Sequence, residues 1–121
     1  MDVLVGIGSP DESVAALERT ARQAAATGDS VTVAIVGDHP TEARERLETE
    51  SSSVADDAGI DVSIRHLDGD PGSQLVDVAE AEEFDELVIG GGSESPMGKI
   101  TIGSTAEFVL LNAHTTVTLV R

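Results

Sequence analysis

Short apolar runs alternate with longer amphipathic segments along the whole chain, and this alternation constrains the fold more than any other feature. The apolar runs predict strands, and the segments between them carry apolar residues at helical spacing. The predicted strands are Val3–Ile7, Val31–Val36, Ile60–His66, Glu86–Gly90 and Thr115–Arg121. Helices are predicted from Pro10, over Thr41–Ala58, from Pro71 and from Ser104. Strands alternating with helices favour an α/β fold, in which a parallel sheet is covered by helices on both faces.

The ends of the predicted helices carry capping signals. Ser9 precedes a proline and a glutamate, so Ser9 is predicted to be an N-cap. Ser104 is followed three residues later by Glu107, which predicts a capping box with Ser104 as the N-cap. Gly28 and Gly59 follow the first two helices and are typical of helix C-termini.

The composition limits the class of protein. A chain of 121 residues fits one domain, predicted to span residues 1–121. The sequence has no cysteine, which excludes disulfides, thiolate metal sites and a cysteine nucleophile. Met1 leads directly into a strand pattern and no long apolar run is present, so a cytoplasmic location is expected.

The chain is strongly acidic. Twenty-three Asp and Glu face seven Lys and Arg, which gives a formal net charge of −16. Nucleic acid and anionic membranes require basic patches, so neither is an expected partner. The charge is typical of a halophilic protein in a high-salt cytoplasm, and it would repel a nucleotide at long range unless salt screens it.

The glycine-rich exits of the first and fourth strands mark the candidate binding site. In doubly wound sheets ligands bind at the carboxyl ends of the strands, near the switch in strand order. The fourth strand runs into Gly90, Gly91 and Gly92, and a second turn at Gly103 and Ser104 opens a helix. Backbone N–H groups and a helix N-terminus in such turns can face an anion.

Several better-known sites do not match this sequence. The first strand exit has Gly6 and Gly8 but lacks the third glycine of a dinucleotide fingerprint. Lys99 follows a glycine but lacks the leading glycine and the hydroxyl residue of a phosphate-binding loop. Lys99 is therefore either a solvated loop charge or a phosphate contact. The three histidines show no ligand spacing and no Ser–His–Asp arrangement is indicated, so neither a metal site nor an enzyme is expected.

The chain resembles the universal stress protein family over essentially its full length. The family signature is Gly, two residues, Gly, nine residues, and then Gly followed by Ser or Thr. Gly90 takes the first position, Ser93 the second, and Gly103 with Ser104 the last pair. The Gly-Asp-Pro-Gly segment that begins at Gly69 is also similar to the family.

The resemblance implies a five-stranded parallel sheet of the Rossmann-like, adenine-nucleotide alpha-hydrolase-like type. It also implies a homodimer paired through the last strand, where an unpaired apolar edge would favour a partner. Many members bind ATP or a related adenine nucleotide such as AMP. Carried over by position, the phosphate contacts fall on Gly90, Gly103, Ser104 and Thr105.

Two positions depart from the pattern of nucleotide-binding members. Those members usually carry Asp directly after the first strand, where this chain has Gly8, with Asp11 three residues later. Ser93 replaces the second signature glycine, and its side chain would crowd the phosphates or require a backbone conformation that serine disfavours. Three hypotheses follow: a dimeric regulatory stress-response protein with weak or no ATP binding, an ATP or AMP sensor, and a weak ATP hydrolase.

Overall fold

The computed structural model describes residues 1–8, 10–90, 92–94 and 100–120. The elements follow the predicted alternation of strands and helices. The strands are β1 (Asp2–Ile7), β2 (Ser30–Val36), β3 (Val62–Leu67), β4 (Glu86–Gly90), β5 (Gly92–Glu94), β6 (Ile100–Ile102) and β7 (Thr116–Val120). The helices are α1 (Pro10–Thr27), α2 (Thr41–Ala58), α3 (Pro71–Ala81) and α4 (Ser104–Asn112).

Five strands form a parallel sheet in the order β3-β2-β1-β4-β7. The central strand β1 pairs with β2 on one side and β4 on the other, so that Val5 lies opposite both Val33 and Val88. The order reverses direction at β1, and the switch point therefore lies between β1 and β4. The predicted five-stranded parallel sheet with helices on both faces is confirmed.

Alternating side chains along the strands build one core on each face of the sheet. Val3, Val5 and Ile7 face a cluster that contains residues of α1 and α2, including Leu17 and Leu47. The alternate residues of the strands face a second cluster, which contains residues of α3 and α4. Because the sheet is buried on both faces, its central strands are almost continuously apolar, as parallel strands usually are.

Most predicted element ends lie within two residues of the observed ends. Helix α2 and strand β4 have the predicted bounds, and Gly59 ends α2 in the left-handed conformation with φ 75°. Strand β3 begins at Val62 rather than Ile60, because the backbone N–H of Ile60 is still bonded to Ala55 O at the end of α2. Ser9 lies outside the described residues.

The prediction that Ser104 caps helix α4 is wrong. Gly103 is the N-cap, with an extended backbone of φ −67° and ψ 161°, and no side chain bonds the cap. Ser104 already has helical geometry as the first residue of the helix, so no capping box with Glu107 forms. The backbone N–H of Glu107 donates to Gly103 O at 2.9 Å, an ordinary helical bond.

A short antiparallel hairpin follows β4 and was not predicted. Strands β5 and β6 pair Gly92 with Ile102 and Ser93 with Thr101. Ser93 therefore lies in an extended strand, a backbone conformation that serine accepts. The expected conflict between serine and the backbone at position 93 does not arise.

The two edges of the main sheet differ in charge. On the β3 side, Arg65 pairs with Glu82 and His66 pairs with Glu48. Edge strand β7 consists of threonine, valine and leucine.

Among the described residues, no helix is long and apolar enough to cross a membrane.

Candidate functional site

An open cleft lies at the carboxyl ends of β1, β2 and β4, beside the N-termini of α3 and α4. Its volume is about 290 Å³. The described lining residues come from the strand ends, the turn after β2 and the first turns of both helices. They are Gly6, Gly8, Val36, Gly37, His39, Pro71, Leu75, Ile89, Gly90, Gly103, Ser104, Thr105 and Ala106.

The floor of the cleft is apolar because it continues the α3–α4 face of the sheet. Val36 and Ile89 are almost completely buried members of the core on this face. Leu75 of α3 packs against Gly6, where an added β-carbon would lie 2.8 Å from Leu75 Cδ1. Gly6 therefore lets α3 approach the sheet closely, and the floor can accept a flat apolar group.

Helices α3 and α4 both begin at this end of the sheet, but their N-termini differ. Asp70 is the N-cap of α3, and its carboxylate accepts a hydrogen bond from the Ser73 backbone N–H at 3.0 Å. The N-cap of α4 is Gly103, which has no side chain to occupy the same place. The first N–H groups of a helix have no partner within the helix and favour an anion. The N-terminus of α4 is therefore the one left available for a ligand.

Helices α3 and α4 contact each other closely beside the cleft. Gly72 is buried, and a β-carbon there would lie 2.8 Å from Phe108 Cδ1 and 3.0 Å from Phe108 Cβ. The absence of a side chain at position 72 thus lets Phe108 of α4 lie against the first turn of α3. The sequence pattern identifies Gly72 as part of a family-like segment but does not predict this contact.

The structure brings five of the nine predicted site residues together in the cleft. Gly8 follows β1, Gly90 ends β4, and Gly103, Ser104 and Thr105 form the start of α4. Their role in binding a nucleotide remains a prediction.

The other predicted site residues lie elsewhere or are not described. Gly92 and Ser93 belong to strand β5 of the hairpin. Gly91 and Lys99 lie outside the described residues, and so does the side chain of Asp11.

Sequence reasoning missed His39 as a lining residue of the cleft. It lies in the turn after β2, between Gly37 and helix α2, and its Nε2 is 3.0 Å from the backbone oxygen of Val36. One sequence signal points to it: in a parallel sheet, the turn after any strand lies at the same end of the sheet as Gly8. The lack of ligand spacing among the histidines argues only against a metal site.

Fixed charges are absent from the described lining of the cleft. Its polar side chains are His39, Ser104 and Thr105, and no Lys, Arg, Asp or Glu is among them. Within the described residues no group of His, Asp and Glu could hold a metal ion. What the described lining offers a ligand is backbone N–H groups, hydroxyls, the His39 imidazole and apolar surface.

Comparisons with known proteins agree with this architecture. A sequence model of the universal stress protein family matches residues 37–121. The universal stress protein MJ0531 of Methanocaldococcus jannaschii is 32% identical over 68 residues, which are 56% of this chain and 40% of that protein. The match therefore spans less than half of that relative's length.

Solved structures match over the whole chain. The universal stress protein of Archaeoglobus fulgidus has a TM-score of 0.82 at 25% identity, covering 100% of this chain and 98% of that one. A universal stress protein in complex with cAMP has a TM-score of 0.81 at 28% identity, covering 100% and 96%. The family model matches well over half of this chain, and the chain therefore belongs to the universal stress protein family.

Proposed function

We propose that this protein is a cytoplasmic, non-catalytic regulatory protein whose cleft binds an adenine mononucleotide, AMP or cAMP, and binds ATP weakly or not at all. In this proposal the chain works as one domain and as a homodimer. The open N-terminus of α4 at one end of an apolar cleft is the observation that carries the ligand assignment. A structure similar over its whole length is a complex with cAMP, which supports the same class of ligand.

The arrangement of the cleft fits a nucleotide with one phosphate group. Gly90, Gly103, Ser104 and Thr105 offer backbone and hydroxyl groups at the α4 end, where a phosphate would lie. Val36, Pro71 and Leu75 offer apolar surface toward the β2 end, where a base would lie. Two strand spacings separate β2 from β4, about 10 Å, a separation suited to a base and its 5′-phosphate.

Charge disfavours the further phosphates of ATP. The chain has a net charge of −16, and Glu107 adds a carboxylate to the first turn of α4. No described lining residue is a cation that would compensate for a triphosphate, and no described lining carboxylate would hold magnesium. The same lack of carboxylates supports a binding protein rather than an ATP hydrolase.

Calorimetric titration with AMP, cAMP and Mg-ATP in high salt tests the ligand assignment. We expect micromolar dissociation constants for AMP or cAMP and binding at least tenfold weaker for ATP, about 1.4 kcal/mol or more. Absence of binding by all three nucleotides would overturn the proposal, and tighter binding of ATP would make the protein an ATP sensor instead.

Replacement of the α4 N-cap tests the phosphate end directly. Gly103 is exposed and its backbone geometry is one that any residue adopts. In Gly103→Asp the new carboxylate would occupy the place of the phosphate, so nucleotide binding should be lost while the helix keeps its stability. Gly103→Ser adds a neutral cap and should reduce the affinity less. Equal affinities for both variants would contradict a phosphate at α4.

The homodimer is proposed to form through β7 and the adjoining side of α4. Strand β7 is an edge strand without a charged residue between Thr116 and Val120. Phe108 contacts α3, and a residue two positions later projects to nearly the opposite side of the helix. Leu110, 42% exposed, therefore lies on the side of α4 that faces away from α3, toward the sheet edge.

Sedimentation of paired leucine variants tests this interface. Leu110→Lys should convert a dimer into monomers, because it places a charge beside the apolar edge. Leu111, 76% exposed, projects outward from the same helix, and Leu111→Lys should leave the dimer intact. A monomeric parent protein, or a dimer that survives Leu110→Lys, would overturn this interface.

A further inference from the structure

The turn after β2 fixes the tautomer of the neutral His39 imidazole. Nε2 of His39 lies 3.0 Å from the backbone oxygen of Val36. A carbonyl oxygen only accepts hydrogen bonds, so Nε2 must carry the hydrogen of this pair. In the neutral imidazole the other nitrogen, Nδ1, is then an acceptor.

Nδ1 of His39 has no hydrogen-bond partner in the part of the chain that the structure describes. The edge of the ring that carries Nε2 and Cδ2 faces the backbone of the turn, because a β-carbon at Gly37 would lie 3.4 Å from Nε2. The opposite edge of the ring carries Nδ1. His39 is half-buried and lines the β2 end of the cleft, away from the N-terminus of α4.

We infer that His39 is the residue that selects the base of the nucleotide, because its Nδ1 accepts a hydrogen bond from the exocyclic amine of a 6-aminopurine. This inference rests on the proposed function, which puts a mononucleotide in the cleft with its phosphate at α4. The base then lies over Val36 and beside His39. His39 is the only described lining residue at this end with a polar side chain, so it is the side chain that can distinguish one purine from another.

The fixed acceptor discriminates by the chemistry of the 6-position. Adenine presents an N–H donor there, whereas hypoxanthine presents a carbonyl oxygen, which would face Nδ1 as a second acceptor. A purine without a 6-substituent presents neither group. AMP should therefore bind most tightly, purine riboside 5′-monophosphate less tightly, and IMP least tightly of the three.

Titration of these three nucleotides against the parent protein measures the selectivity. We expect AMP to bind about tenfold more tightly than IMP and about fivefold more tightly than purine riboside 5′-monophosphate, from the loss of one hydrogen bond in a partly desolvated site. The three ligands share the ribose and the phosphate. The ratios of their affinities are therefore insensitive to changes at the α4 end of the cleft.

Variants at position 39 separate recognition of the base from a structural role. In His39→Ala and His39→Phe the three affinities should converge to within about twofold, because the acceptor is removed. Phenylalanine keeps a ring in the turn, so it covers the case in which the alanine variant is destabilised. His66→Ala is the matched control, since His66 pairs with Glu48 outside the cleft, and it should retain the parent selectivity.

Each outcome is decisive. Equal affinities of AMP and IMP in the parent, or a tenfold preference that survives in both His39 variants, would overturn the role of His39 while leaving the nucleotide site in place. No binding of any of these three nucleotides, nor of cAMP, would overturn the proposed function, and the role of His39 with it.

Discussion

The two faces of the sheet carry similar layers of two helices, yet the cleft at the carboxyl ends of the strands is lined by helix residues of α3 and α4 alone among the described residues. On the α1–α2 face, Leu17 and Leu47 are almost completely buried against the strands, and α2 is 18 residues long. On the α3–α4 face, α4 has only 9 residues and no side-chain cap. Helix α2 also lacks a side-chain cap, so the length of the helices, rather than their caps, distinguishes the two layers.

The first prediction compares one substitution on the two faces. Leu47 and Leu75 are both 1% exposed, but Leu47 lies within the closed core and Leu75 borders the cleft. Leu47→Ala should lower the free energy of unfolding by about 3–5 kcal/mol, because it leaves an enclosed cavity. Leu75→Ala should cost about 2 kcal/mol, near the low end for such changes, since its space joins the open cleft. Urea denaturation of both variants measures the difference.

Equal losses for the two leucines would show that the α3–α4 face is as closed as the other. The slopes of the two denaturation curves should match that of the parent protein, which verifies that the same surface is exposed on unfolding.

The second prediction uses glycines to probe close approach on the cleft face. A β-carbon at Gly72 would meet Phe108 Cβ at 3.0 Å, close to the backbone of α4, whereas one at Gly8 would meet, among the described residues, Val36 Cγ2 at 3.8 Å. Gly72→Ala should therefore destabilise the protein by about 1–3 kcal/mol through overpacking. Gly8→Ala should change stability by less than about 0.5 kcal/mol. Thermal unfolding of the two variants tests this order.

Gly6→Ala provides an intermediate case. Its β-carbon would meet the methyl ends of Leu75 at 2.8 and 3.0 Å, and those methyl groups can rotate away more easily than the Phe108 Cβ. A loss at Gly6 larger than that at Gly72 would show that the contact of α3 with the sheet tolerates an added methyl group less well than the α3–α4 contact does.

The third prediction concerns the two N-termini that meet at the cleft. Asp70→Ala removes the side chain that bonds the Ser73 N–H, and should cost about 1 kcal/mol of stability. It also exposes a second free helix N-terminus beside the ligand site. Chemical denaturation of this variant measures the loss of the cap, and AMP titration measures the effect of the second free N-terminus on ligand affinity. Unchanged stability would show that the α3 cap contributes little.

Much of the fold could be predicted from the sequence because its signals are local. The alternation of apolar strands with helical periodicity placed β4 and α2 at their observed bounds, and Asp70 before Pro71 marked the start of α3. Such signals depend on neighbours within about one helical turn, which a sequence shows directly.

The parts that were missed depend on distant contacts. Strands β5 and β6 have three residues each, too few to show alternation, and they are defined only by pairing with each other. Ser104 matches a capping box, yet the turn that ends at Gly103 moves the cap back by one residue. His39 reaches the cleft because β2 lies beside β1, a neighbour relationship that single-sequence periodicity does not reveal.

The smallest change in stability is expected for Gly8→Asp. This variant also tests most directly what the cleft on the α3–α4 face can bind. By resemblance to the family, nucleotide-binding members carry aspartate directly after the first strand, and this chain has Gly8 there. Among the described residues, the nearest atom to a β-carbon at position 8 would be Val36 Cγ2 at 3.8 Å, and Gly8 does not have the left-handed backbone that would exclude other residues. The variant should therefore fold with a stability within about 0.5 kcal/mol of the parent.

The added carboxylate at position 8 should raise the affinity for AMP about tenfold, because a hydrogen bond to an ionised group contributes more than a neutral one. Gly8→Asn is the matched control, since it offers a similar acceptor without the charge. A gain for both variants would indicate that a missing hydrogen bond at β1 limits binding in this chain. A gain for asparagine with a loss for aspartate would indicate that the net charge of −16 limits nucleotide binding instead. Isothermal titration at two salt concentrations distinguishes these two outcomes, because salt screens the charge and not a neutral hydrogen bond. A loss of affinity for both variants would mean that the small residue at the end of β1 is itself part of the cleft's fit to its ligand.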